Sequence, residues 1–92
     1  MNGRGAYDAR KIQGGLIISK GKKDVATIHT AAPVLEEWGF ANGGNSIVTK
    51  SRASHGPATL ELWDCATGTM SDKIMAFAVK DRQPSWAADY AE

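Results

Sequence analysis

ATLELWDCATGTMSDKIMAFAVK, residues 58–80, predicts two strands joined by a polar turn. Apolar and polar side chains alternate over residues 58–64, and residues 73–80 form a second, strongly apolar run. The intervening residues 65–72 are mostly small or polar and include one glycine. Because a short turn joins antiparallel neighbours, the stretch predicts a hairpin.

Both faces of this predicted hairpin carry apolar side chains. Successive residues of a strand point to opposite faces, so Leu60 and Leu62 lie opposite Trp63 and Cys65. The second run follows the same rule, with two sets of apolar residues on opposite faces: Met75, Phe77 and Val79 against Ile74, Ala76 and Ala78. A sheet with one face in water would show polar residues on that face. We therefore expect both faces to be covered.

Three more strands are predicted around this hairpin. LIISK (16–20) and VATIHT (25–30) form a hairpin across a glycine-containing link, and SIVTKS (46–51) forms a strand after the turn ANGGN (41–45). Before that turn, TAAPVLEEWGF (30–40) has apolar residues at helical spacing and predicts a helix.

The predicted helix has signals at both ends. Thr30 is placed to cap its start, and Gly39 suits the left-handed position just beyond its end. Its apolar face would comprise Ala31, Val34, Leu35 and Trp38.

The element order is therefore ββαβββ, an α+β fold. It comprises a mainly antiparallel five-stranded sheet with one short helix on one face. Residues 1–92 are expected to form a single small domain, in which residues 1–9 are flexible. The tail, residues 81–92, is expected to dock on the sheet or on a partner, with a helical turn after Pro84.

Composition narrows the class of protein. The chain has 92 residues, 42% of them hydrophobic and 23% charged, which is ordinary for a globular domain. It has no apolar run long enough for a membrane span and no secretory h-region, and its one cysteine excludes an internal disulfide. These features favour a cytoplasmic protein that does not enter membranes.

One short helix covers only one face of a sheet, so the other face needs the tail or a second copy of the chain. We expect a homo-oligomer that acts as a non-catalytic binding protein, with a small-ligand groove between copies that is lined by aromatic side chains. The candidate binding residues are Trp38, Trp63, Phe77, Trp86, Lys22, Lys23 and Arg52.

The charge distribution supports an alternative. Residues 1–23 carry six basic and one acidic side chain, whereas the rest of the chain carries five basic and nine acidic ones. A basic front of this kind is typical of a weak nucleic-acid binder, although the same charges also serve simply to solvate a hairpin. The candidate phosphate contacts are Arg10, Lys11, Lys20, Lys22, Lys23, Lys50 and Arg52.

Catalysis is the least favoured hypothesis. His55 and Cys65 lie at opposite ends of a predicted strand, roughly 20 Å apart at about 3.3 Å per residue, so they do not form a nucleophile pair. A hydrolase or ribonuclease using His29 and His55 as acid and base requires the two rings to meet across a cleft. We assign no catalytic residue, metal site or cofactor, because two histidines without spaced acidic or thiol partners are not a metal motif.

Overall fold

A computed structural model describes residues 7–92, and the predicted flexibility of residues 1–6 lies outside the described part. The strands are β1 (Tyr7–Ile12), β2 (Gly15–Lys20), β3 (Lys23–His29), β4 (Val34–Ala41), β5 (Ser46–Arg52), β6 (Thr59–Asp64) and β7 (Met70–Met75). The one α-helix in this part of the chain, α1, spans Val79–Arg82, and short 3-10 helices span Asn42–Gly44, Ala76–Ala78 and Ser85–Tyr90.

The strands form two antiparallel sheets, so the fold is a small α+β structure but the predicted single five-stranded sheet is wrong. A three-stranded sheet has the order β1-β2-β3, and a four-stranded sheet has the order β4-β5-β6-β7. Within each sheet, every strand pairs with its neighbour in sequence, because short connections join them.

The predicted hairpin of residues 16–30 is confirmed as β2 and β3, whereas β1 was not predicted. Residues 7–9, expected to be flexible, belong to this strand, in which Tyr7 pairs with Lys20 and Ala9 with Ile18. Tyr7 and Ala9 pack inward, but the next residue of the same parity is Lys11, so the strand has only a weak apolar pattern.

The predicted helix over residues 30–40 is wrong, because residues 34–41 form β4. A β-bulge between Leu35 and Glu37 places one extra residue in this strand. Leu35 and Trp38 are three residues apart, yet both pack in the same core cluster. The bulge thus reproduces in a strand the spacing that is typical of a helix. Thr30 caps no helix, and its hydroxyl donates instead to the carbonyl of Ala32 at 2.7 Å.

The second strand of the hairpin predicted over residues 58–80 ends earlier than predicted. β7 stops at Met75, and the chain then turns through a 3-10 helix into α1. Ala76 and Val79, predicted on opposite faces of a strand, pack in one cluster because they belong to helical turns.

The four-stranded sheet lies between two layers. On its sandwich face, Leu35, Ile47, Trp63 and Cys65 pack against Leu16, Ile18 and Ile28 of the three-stranded sheet. On its tail face, Leu60 and Ile74 pack against the C-terminal segment, residues 76–92, through Ala76, Val79 and Ala87. The predicted phasing of Leu60 against Trp63 is therefore confirmed, and both faces are covered by the same chain.

A backbone hydrogen bond joins the two ends of the C-terminal segment. The amide of Glu92 donates to the carbonyl of Ala76 at 3.1 Å, which closes the segment on itself. The predicted helical turn after Pro84 is present as the 3-10 helix Ser85–Tyr90, with Pro84 at its N-cap position. No helix in the described residues 7–92 is long and apolar enough to cross a membrane.

Candidate functional site

A cavity of about 330 Å³ opens where β4 ends and the C-terminal segment crosses the sheet. Its volume falls at the lower end of the range of about 300–1,000 Å³ that is usual for small-molecule sites. The cavity is lined by Phe40, Ala41, Asn42, Val48, Ser85, Trp86, Asp89 and Tyr90. Two aromatic residues of the C-terminal segment, Trp86 and Tyr90, belong to this lining, whereas the ring of Phe40 packs with Trp38 on the sandwich face. Three consecutive lining residues come from the end of β4 and the turn that follows it.

Tyr90 packs closely against β4 because residue 39 of that strand is glycine and has no side chain. A β-carbon built on Gly39 would lie 2.5 Å from the hydroxyl oxygen of Tyr90. Such a distance is shorter than real contacts allow, so glycine at position 39 lets the phenol pack directly on the strand. Burial raises the pKa of the Tyr90 hydroxyl, and the charges of Asp89 and Glu37 raise it further.

Trp86 is oriented by a hydrogen bond from its ring. The indole Nε1–H donates to Oδ2 of Asp72 on β7 at 3.1 Å, and the ring packs against the tail-face cluster. Asp72 also lies 3.9 Å from Arg82 of α1. The Asp72 carboxylate thereby orients the half-buried ring on the sheet, because an indole N–H that leaves water needs an acceptor.

The turn between β4 and β5 forms one end of the cavity. Asn42, Gly43 and Gly44 have positive φ values of 52°, 67° and 96°, so this turn needs the backbone freedom of its asparagine and glycines. The side-chain amide of Asn42 donates to the hydroxyl of Ser46 at 3.0 Å. The interpretation of ANGGN as a turn is thereby confirmed.

A charged cluster joins β4 and β5 to the end of the C-terminal segment. Lys50 is buried, and its ammonium group lies 3.6 Å from Glu37 and 3.3 Å from Glu92. Arg52 donates to Glu36 at 2.9 Å and also pairs with Glu92. Hydrogen bonds from Arg52 and Lys50, together with their charges, lower the pKa of the Glu92 carboxyl. This arrangement neutralises both basic groups within the protein.

The structure does not bring the four predicted aromatic residues into one groove within the chain. Trp38 and Trp63 lie on the sandwich face, where Trp63 is buried and its Nε1–H donates to the Thr49 hydroxyl at 2.9 Å. Trp86 lies beside the cavity on the other side of the sheet. Phe77 is 53% exposed on the 3-10 helix after β7.

The basic residues that were predicted to contact a ligand or phosphates also lie in different parts of the structure. Arg52 belongs to the charged cluster, whereas Lys22 and Lys23 lie with Lys20 at the tip of the β2–β3 hairpin and are exposed. Arg10 forms a bidentate pair with Asp24, at 3.1 and 2.9 Å, and Lys11 donates to the carbonyl of Leu35. The three hairpin-tip lysines form no ion pair with any described residue.

Cys65 behaves as a small core residue, as the sequence predicted. It is completely buried in the sandwich-face cluster. Burial, followed by the nearby charge of Asp64, raises the pKa of its thiol to about 11, which disfavours the nucleophilic thiolate. His29 and His55 are both exposed, on β3 and on the loop before β6.

The sandwich face contains a buried carboxylate that the sequence did not single out. Glu61 is 4% exposed, and its Oε1 accepts a hydrogen bond from the amide of Ala31 at 2.9 Å. The next residue, Ala32, donates its amide to the Ser51 hydroxyl at 3.3 Å. Burial raises the pKa of Glu61, while the amide and Lys73 act in the opposite direction. These contacts attach the loop between β3 and β4 to the sheet.

Sequence reasoning named Trp86 at the cavity but not Phe40, Asp89 or Tyr90 as binding residues. The spacing of Trp86 and Tyr90 at i and i+4 was the available signal, since it places both rings on one side of a helical turn. No protein-family model, curated protein or solved structure matches this chain. Among residues 7–92, no group of three or more His, Cys, Asp or Glu side chains is placed to hold a metal ion.

Proposed function

We propose that the protein is a non-catalytic binding protein that holds a small ligand in the cavity between β4 and the C-terminal segment. The observation that carries this proposal is the cavity of about 330 Å³, in which Trp86 and Tyr90 lie beside polar side chains such as Asn42, Ser85 and Asp89. Polar groups placed beside aromatic rings orient a small molecule in such a site.

A blocking variant tests the proposal. Ser85 is exposed and lines the cavity, so Ser85→Phe fills the mouth without cutting into the core. Ala88 is exposed on the same 3-10 helix but does not line the cavity, so Ala88→Phe is the matched control. We expect ligand-detected NMR of a fragment library to give binders that are lost in Ser85→Phe and kept in Ala88→Phe. An absence of binders, or binders indifferent to Ser85→Phe, would refute the proposal.

We further propose that the chain associates with itself. Both faces of the four-stranded sheet are covered, so association does not depend on an open sheet face. It is supported by the edge strand β4, which pairs within its sheet only with β5 and in which Val34 is 49% exposed. We expect light scattering to give at least twice the 9.8 kDa of one chain. Val34→Lys should then lower this mass, whereas Val25→Lys on β3 should not. A single-chain mass for the unmodified protein at micromolar concentration would exclude self-association.

Nucleic-acid binding is a second candidate function, supported by the hairpin tip with Lys20, Lys22 and Lys23. These ammonium groups form no ion pair with a described residue, so they are available to phosphates. We expect anisotropy of a labelled mixed oligonucleotide to show salt-dependent binding that weakens in a Lys22→Ala, Lys23→Ala double variant. Lys80→Ala, on the exposed side of α1, is the control. No binding at low salt would remove this candidate.

A further inference from the structure

The cavity is negatively charged. Asp89 is the one charged side chain among its lining residues, and no lysine, arginine or histidine of the described chain lines it. Asp89 forms no ion pair with another described residue. A carboxylate at the wall of a concave site attracts cations, since the low-dielectric walls focus its field.

The neighbouring groups do not cancel this charge. The Lys50 ammonium, on the tail face of β5, lies between the carboxylates of Glu37 and Glu92. The Tyr90 hydroxyl, half-buried beside the cavity, has its pKa raised by burial and also by Asp89 and Glu37. Two carboxylates thus act on the phenol, as expected for a site of negative potential.

The aromatic walls favour the same sign of charge. The faces of Trp and Tyr rings carry negative partial charge, and they attract ammonium groups within about 6 Å of the ring centre. Trp86 is fixed by its hydrogen bond to Asp72, and Tyr90 by its packing on Gly39. Phe40 also belongs to the lining, but its ring makes an edge-to-face contact with Trp38 on the sandwich face, with the ring centres 6.2 Å apart. The two rings of the C-terminal segment, Trp86 and Tyr90, are therefore positioned before a ligand arrives.

The polar lining groups limit the class of ligand further. Asn42 and Ser85 bring an amide and a hydroxyl to the cavity beside the rings. A wholly apolar ligand would remove water from these groups without replacing its hydrogen bonds, which is unfavourable. A cation with a hydroxyl group can satisfy them.

We propose that the cavity binds a small alkylammonium cation, with its charge near Asp89 and its alkyl groups against Trp86 and Tyr90. This inference rests on the proposed ligand-binding function and specifies its ligand class. Asp72 acts through Trp86 and is a positioning residue.

A charged probe and its neutral isostere test this inference on the full chain. Choline and 3,3-dimethylbutan-1-ol have nearly the same shape, but only choline carries a positive charge. We expect calorimetry to show choline binding about tenfold more tightly than the alcohol. Asp89→Asn should remove most of that preference, whereas Asp81→Asn on the exposed side of α1 should keep it. Thermal unfolding of both variants checks that the fold is retained.

The outcomes separate this inference from the proposed function. If the alcohol binds as tightly as choline and Ser85→Phe abolishes both, the ligand site stands and the cation preference is refuted. If neither probe binds, the cation proposal is refuted, while the fragment experiment still decides the site itself. If Asp89→Asn leaves the choline preference unchanged, the assigned role of Asp89 is wrong.

Discussion

The hydroxyl oxygen of Tyr90 occupies the space that a β-carbon at position 39 would need, although 50 intervening residues separate the two positions. A β-carbon there would lie 2.5 Å from the oxygen but 3.9 Å from ring atom Cζ, an ordinary contact. The overlap is therefore confined to one atom.

Because only the hydroxyl oxygen overlaps, a double-mutant cycle between Gly39 and Tyr90 has a predictable result. Gly39→Ala should lower the free energy of unfolding by about 1–3 kcal/mol, because the phenol must move from the strand. In a Tyr90→Phe background the same substitution should cost clearly less, since the atom that clashes is gone. Urea unfolding of the four proteins measures the coupling. Equal costs in both backgrounds would show that Gly39 does not accommodate the hydroxyl.

The buried hydrogen bond between Trp63 and Thr49 gives a second prediction. Thr49→Val keeps the shape of the side chain but leaves the indole N–H without its acceptor, 2.9 Å away in the native protein. We expect a loss of about 1–3 kcal/mol in the free energy of unfolding. Trp63→Phe removes the donor, so Thr49→Val should cost less in that background. A cost that does not depend on residue 63 would contradict the assignment.

Glu61 predicts a pH dependence of definite sign. Burial raises its pKa in the folded protein above the ordinary value of 4.5, so the folded state binds its proton more tightly than the unfolded state does. Stability from this group is therefore present at low pH and is lost as the pH rises from 4.5 through the folded pKa.

Glu61→Gln isolates that contribution, because glutamine can still accept from the Ala31 amide. The variant should gain stability relative to the parent protein as the pH increases, and the difference should level off once the carboxyl is fully ionised. Denaturant unfolding between about pH 3 and pH 7 measures this difference, and other titrating groups cancel in the comparison. A constant difference across that range would contradict a raised pKa.

Cys65 predicts slow thiol chemistry. The side chain is fully buried and its pKa is about 11, so modification requires an opening of the sandwich. We expect Ellman's reagent to label the native protein more than about a hundredfold more slowly than the urea-unfolded chain. The labelling rate should rise with urea below the unfolding transition. Rapid labelling in buffer alone would mean that the two sheets separate easily.

The sequence predicted strand phasing well where the alternation was regular. Leu60 and Trp63 were assigned to opposite faces of the fourth predicted strand, and they pack in separate clusters. Both clusters are filled by residues of the same chain, which alternation alone does not reveal. The three-stranded sheet covers the sandwich face. Its first strand, β1, has only a weak apolar pattern, formed by Tyr7 and Ala9.

Irregular backbone explains the main errors. The bulge in β4 puts Leu35 and Trp38 on one face, and local sequence does not distinguish this spacing from a helix. Likewise, the apolar run after Met75 predicts a strand, although Val79 begins a helical turn. The intrinsic preferences of these segments are weak beside the tertiary packing that decides between the two states.

The cavity depends on contacts that no local pattern encodes. Phe40 and Trp86 line the same space, although one precedes and the other follows the three strands β5, β6 and β7 along the chain. These two residues lie close together only because the C-terminal segment crosses the tail face of the sheet. Trp86 was predicted as a binding residue for its aromatic ring alone, and Asp89 carried no signal before its position was known.

The placement of the three-stranded sheet has a consequence for biosynthesis. This sheet is complete at His29, but its buried side chains Leu16, Ile18 and Ile28 rest on residues between Leu35 and Cys65. A growing chain emerges at about 5–20 residues per second. The residues of this sheet therefore emerge seconds before the residues on which they pack. During that interval its apolar side remains open to water or to a chaperone, and native packing waits until Cys65 has left the ribosome.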